Sequence, residues 1–236
     1  MVHLTARYIK FVSPEIVRRI VSDNDKNRSE WSAKLLGRDV DPQIYLWDGS
    51  PCAFPGVRRY AGSKEIAYFR KHTELKDAEI TGAVQLDDNS FPKQIWSHVF
   101  LGKKFANAGP GGYALAHLAD HKEHKNRADE EFELPSAEHK HPLYGLFTCP
   151  TNTAYIPNSL IRPTDFSPVI RRLLISRANA LYGDFCQILP QWMRLKPAQE
   201  NWDHRDFQWG ETVGELDHVN DFLKFRTETM EKIFKT

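Results

Sequence analysis

The segment GYALAHLADHKEHKNR, residues 112–127, sets His117, Asp120, His121 and His124 among Lys122, Lys125 and Arg127, directly behind an alternating apolar run. An adjacent aspartate and histidine suit the hydrolysis of a phosphodiester. Imidazole titrates near neutrality and takes a proton from water, while a carboxylate is a hard oxygen donor for Mg2+ or Mn2+. Further along, Asn152 stands before a second short apolar run, TAYIP. An asparagine in the return of a hairpin braces it and positions the imidazole through its amide. Consecutive strand residues point to opposite faces, so a kink or bulge at the strand end must bring Asp120 and His121 to one site.

LADHK followed by CPTNTAYIPNSL resembles the HNH, or ββα-metal, nuclease motif. The resemblance spans residues 96–182 and implies a metal-dependent DNA endonuclease. Asp120 is then the metal ligand, His121 the general base and Asn152 the structural asparagine. Where that family carries its third site residue, on the helix after the second strand, this chain has Leu160 and Ile161. Asn158 is the nearest suitable side chain for a second ligand, and Asp165 the next. The cysteine pairs that clamp zinc in many members are missing, so the resemblance implies Mg2+ or Mn2+ and no structural zinc.

Other readings attach to the same residues. Glu123-His124-Lys125 and Glu138-His139-Lys140 have the E-x-K form of a second nuclease family, PD-(D/E)XK, but neither sits in a β-branched strand. The stretch from His124 through the acids after Arg127 also reads as a solvated loop. His117 is as well explained by packing as by a supporting role at the site, and His139 and His141 by a turn before Pro142. For substrate, Arg58, Arg59 and Lys64 lie in a tight Pro-Gly loop, and Arg162 and Arg171 flank the proposed site together with Arg172 and Arg177. With Lys122 and Lys125 they supply local positive charge for DNA phosphates, one arginine being able to read guanine bidentately. Each cluster also has an ordinary reading as a basic loop or a solvated helix face.

The elements that must position these groups follow from punctuation and period. Ser13-Pro14-Glu15 marks a helix start, continued by EIVRRIV. Residues 42–55 read as strands and loops, KEIAYFRKH (64–72) as a helix and EITGAVQL as a strand. IWSHVFLGKKF and GGYALAHLAD are apolar runs separated by the breaker ANAGPG. Ser167 caps the clearest helix and Pro168 opens it, with a stripe of Ile170, Leu173, Leu174, Ala178 and Leu181 and Gly183 at its end. Residues 215–235 carry Leu216, Val219, Phe222, Leu223, Met230, Ile233 and Phe234 at helical spacing.

The chain's 236 residues, 41% hydrophobic and 27% charged, describe a globular protein. A net charge of +1 gives no global field for nucleic acid, so any such site is local. Cys52, Cys149 and Cys186 are never paired as CxxC, which fits a reducing compartment. No signal-like or membrane-spanning run is present, and the expectation is a cytoplasmic protein. The fold expected is α+β: an N-terminal α/β recognition region (1–95), a ββα-metal core (96–183) and C-terminal helices for packing or dimerisation (184–236). The resulting expectation is a homodimeric, restriction-type endonuclease acting on double-stranded DNA. The alternatives are a non-catalytic DNA-binding or defence-complex subunit and a metal-independent base-excising enzyme.

Overall fold

A computed structural model describes residues 2–37, 52, 90–103, 111–119, 132–133, 149–161, 167–186, 194–195 and 202–235. Helix α1 (Val2–Ala6) leads through an extended segment into α2 (Pro14–Leu36). The start of α2 is the expected one. Ser13 Oγ accepts from the Glu15 N–H at 3.3 Å, its carbonyl accepts from the Val17 N–H at 3.2 Å, and proline spares an amide that has no helical partner. The run IWSHVFL forms the body of α3 (Ser90–Leu101), which ends at Gly102 with φ 64°. Helix α4 (Pro168–Tyr182) begins where Ser167 Oγ accepts from the Ile170 N–H, and Gly183 closes it with its N–H on the Asn179 carbonyl. Helix α5 (Leu216–Lys235) completes the chain.

Two strand pairs accompany the helices. Strand β1 (Tyr113–His117) runs antiparallel to β3 (Thr153–Pro157), with Leu115 opposite Tyr155 and His117 opposite Thr153. Strand β2 (Phe132–Glu133) pairs with β4 (Arg194–Leu195). Helices and short antiparallel strands of this kind make an α+β protein. The far edge of β3 is also occupied. Lys10 and Tyr155 exchange both backbone hydrogen bonds, at 2.8 and 3.0 Å. Val213 in turn joins the N-terminal segment, donating to Phe11 and accepting from Ser13. The hairpin is therefore walled by both ends of the chain.

Its two faces meet different partners, because opposed residues of an antiparallel pair share a face. Thr153 and Tyr155 meet α3: the Trp96 ring lies 5.0 Å and the Phe100 ring 5.2 Å from Tyr155, and Trp96 Nε1 donates to Thr153 Oγ1 at 2.9 Å. Ala154 and Ile156, on the other face, are wholly buried and belong to the same core as Leu174, Ile175 and Ala178 of α4.

That core also contains Val12, Ile16 and Ile20 from the N-terminal region and Val219, Phe222 and Leu223 from α5. The three regions expected from sequence thus share one hydrophobic interior among the described residues. The apolar stripe of α5 faces α2 and α3 of its own chain, with His98 against the Phe222 and Phe225 rings. Val219, Phe222, Leu223 and Phe225 of that stripe pack within the chain, while Leu216 is exposed. No described helix is long and apolar enough to cross a membrane.

Candidate functional site

The β1–β3 ladder continues past its last strand pair. The Leu118 N–H donates to the Asn152 carbonyl at 2.9 Å. One residue on, the asparagine side chain takes over: Oδ1 accepts from the Ala119 N–H at 2.7 Å, and Nδ2 donates to the Ala119 carbonyl at 3.1 Å. A donor and an acceptor facing an acceptor and a donor admit one amide orientation. Asn152 is completely buried, as are Leu118 and Ala119. The backbone of Ala119 is held on both its polar groups at the last residue before Asp120-His121.

The clamp sits on a supported turn. Pro150–Asn152 forms a single 3-10 turn with all three residues buried. The Asn152 N–H closes it on the Cys149 carbonyl at 3.1 Å. Thr153 Oγ1 donates to the Pro150 carbonyl at 2.9 Å while accepting from Trp96. Thr151 Oγ1 meets Cys52 Sγ at 3.2 Å, and α4 packs against the turn. Tyr182, at the end of α4, donates its hydroxyl to the Val12 carbonyl at 2.7 Å. Burial, reinforced by the neighbouring Cys52 and Cys186 thiols, holds the Tyr182 phenol protonated far above its usual range. All three cysteines are buried thiols outside any disulfide.

Asn152 braces the strand end: its amide is engaged with the Ala119 backbone and it touches no solvent. His117 is half-buried on the α3 face, opposite Thr153, which agrees with a packed histidine. Asn158 lies at the opposite end of the hairpin from the Asn152 clamp. Its N–H donates to the Gly112 carbonyl at 2.8 Å, one step beyond the Tyr113–Pro157 pair, whereas Ala119 is clamped beyond the His117–Thr153 pair. The strand Thr153–Pro157 lies between Asn158 and Asn152 and is about 13 Å long at about 3.3 Å per residue.

Arg171 is buried. It lies in line with Leu174 and Ala178 on the core-facing stripe of α4 and is 7% exposed. The Arg177 guanidinium lies over the Trp209 ring at 5.6 Å. Asp120, His121, Asp165, Arg58, Arg59, Lys64, Lys122, Lys125 and Arg162 lie outside the described residues, as do the elements expected across 42–55 and 64–86. Among the described residues no group of three or more His, Cys, Asp or Glu is arranged to hold a metal ion.

The supporting residues Trp96, Thr153, Thr151 and Cys52 were not singled out from sequence. IWSHVF reads there only as an apolar run and TAYIP as a short apolar strand, and hydrogen bonds spanning 57 and 99 residues leave no local trace. Compared with protein-family models, with curated proteins and with solved structures, the chain matches none.

Proposed function

We propose that this chain is a metal-dependent endonuclease that hydrolyses phosphodiester bonds in double-stranded DNA, built on a ββα-metal arrangement of β1, β3 and a following helix. One observation carries the reading: the Asn152 side chain clamps the N–H and C=O of Ala119, immediately before Asp120-His121. An asparagine bonded to both backbone groups at that point serves to fix the strand end and whatever follows it. The residues that follow are an acid and a base suited to hydrolysis at neutral pH.

In this reading His121 takes the proton from the attacking water and Asp120 is a carboxylate ligand. Mg2+ or Mn2+, when bound, offsets charge developing on the phosphate and the leaving oxygen. Asn152 keeps the strand end rigid so that the imidazole is aimed before substrate arrives. Asp165 is a candidate for a second carboxylate, and Arg58, Arg59, Lys122 and Lys125 are the candidates for phosphate contacts. Specific recognition of a restriction-type site and a dimeric assembly would be additions to this core.

The test is cleavage of plasmid and linear DNA, methylated and unmethylated, with Mg2+ or Mn2+ and with chelator. Cleavage that needs the divalent ion, and falls about 10²–10⁴-fold in His121→Ala with DNA affinity nearly unchanged, is the expected result. Cleavage surviving chelation points to a metal-independent base-excising enzyme, and binding without cleavage to a DNA-binding subunit. A folded His121→Ala protein cutting at the native rate ends the assignment of the base.

A further inference from the structure

Three polar groups meet in the interior where nothing but apolar contact is needed to fill space. Trp96 is completely buried in α3, yet its indole Nε1–H donates to Thr153 Oγ1 at 2.9 Å. The same hydroxyl passes its own hydrogen to the Pro150 carbonyl at 2.9 Å. Pro150 opens the turn that ends in Asn152, and the Asn152 amide holds Ala119. We infer that Trp96 and Thr153 are positioning residues, a donor–hydroxyl relay that sets the turn and, through Asn152, the Ala119 backbone that leads into Asp120-His121.

The geometry favours positioning over mere cohesion. Thr153 already closes the turn with its backbone N–H on the Pro150 carbonyl. The hydroxyl adds a second donor to the same oxygen, which restricts rotation of that peptide. The relay is also directional. An indole nitrogen only donates, so the threonine hydroxyl is compelled to send its hydrogen to the carbonyl and cannot rotate away. Its far end is anchored in α3, whose Trp96 ring is stacked on Phe100 at 5.4 Å and lies against Tyr155. The relay thus refers the turn to a helix outside the β1–β3–α4 unit.

This inference rests on the nuclease reading for its catalytic consequence, though the positioning itself is measurable without it. The experiment compares Thr153→Val, which keeps shape and removes the hydroxyl, with Thr153→Ser, which restores it. Each is read by divalent-dependent plasmid cleavage and by hydrogen exchange of the Ala119 amide relative to that of Ile156. Thr153→Val is expected to lower kcat about tenfold with KM within about twofold. It should raise Ala119 exchange more than Ile156 exchange, and Thr153→Ser should return both to near the parent values. Native kcat with native Ala119 exchange in Thr153→Val overturns the inference, as does failure of Thr153→Ser to rescue. If Thr153→Val does not fold, Trp96→Phe carries the same expectations, because it removes the donor and keeps a buried ring. If the parent protein cleaves nothing, the nuclease reading fails by itself. The relay is then judged on exchange alone: selective loosening of Ala119 supports it and unchanged exchange overturns it.

Discussion

At the scale of single residues, Asn152 concentrates the consequences. Asn152→Ala leaves the Ala119 N–H and carbonyl buried without their partners, and an unmet buried polar group costs more than the bond it lost. The expected loss is about 3 kcal/mol, or a Tm lower by about 6–12 °C for a chain of this size. Thermal unfolding by circular dichroism measures it, and a change under about 0.5 kcal/mol is what a surface site would give. Asn152→Asp should be no better, since a carboxylate oxygen then faces the Ala119 carbonyl. A different residue contributes to acid behaviour. Asp203 caps the 3-10 turn His204–Asp206, and the Arg205 side chain, then the Arg205 N–H, donate to its carboxylate. They hold it down to about 2 from its ordinary 3.8. A depressed folded value contributes stability that is complete above about pH 4 and is lost as pH falls toward 2. Both groups lie in solvent, so the effect is small and weakens with salt. An Asp203→Asn protein should show a flatter stability slope across that window in denaturant titrations run at successive pH values. A slope equal to the parent's would remove Asp203 from acid unfolding.

At the scale of elements, the α2–α5 contact holds a charge where apolar packing would suffice. Arg226 is completely buried; it donates to Asn24 Oδ1 at 2.6 Å and forms an ion pair with Asp23, and its guanidinium lies 4.9 Å from the Trp31 ring centre. Burial lowers the affinity of this guanidinium for its proton, while the Asp23 carboxylate acts to raise it. Removing one partner of such a pair leaves the other uncompensated. Arg226→Ala is therefore expected to destabilise by about 3–5 kcal/mol, and Arg226→Met, which refills the volume, by clearly less. Urea denaturation of the two variants and of each combined with Asp23→Asn measures the coupling. Equal losses for Ala and Met would make packing, not charge, the issue. The same pairing of helices takes up Phe222, which is fully buried, and Phe225, both against His98 of α3.

At the scale of the molecule, the hairpin belongs to the whole chain. Lys10 pairs with one edge of β3 and Val213 extends that layer, while Ile16, Val219 and Phe222 share the interior with Ala154 and Ile156. A fragment of residues 96–183, the catalytic region read from sequence, loses all of these neighbours. It is expected to be non-cooperative, with poor amide dispersion and no sharp thermal transition. A fragment that melts cooperatively and retains divalent-dependent cleavage would make residues 96–183 an independent unit.

What the sequence by itself determined was local. Ser13-Pro14, Ser167-Pro168 and Gly183 mark helix ends because capping is chemistry among near neighbours, and the period of residues 215–235 suffices for α5. The pair YALAH and TAYIP, with an asparagine ahead of the second, was legible as a braced hairpin for the same reason: a clamp one step past a ladder follows from strand register. Only the tertiary structure decided what lies across large separations. The distance between Asn158 and Asn152 depends on the chain being extended between them, and the burial of Arg171 on the direction its helix face takes. The support of the 150–152 turn by Trp96 and Cys52 has no sequence period at all. Those contacts form because both chain ends fold back over the hairpin, and nothing in the spacing of residues within any one segment records that closure.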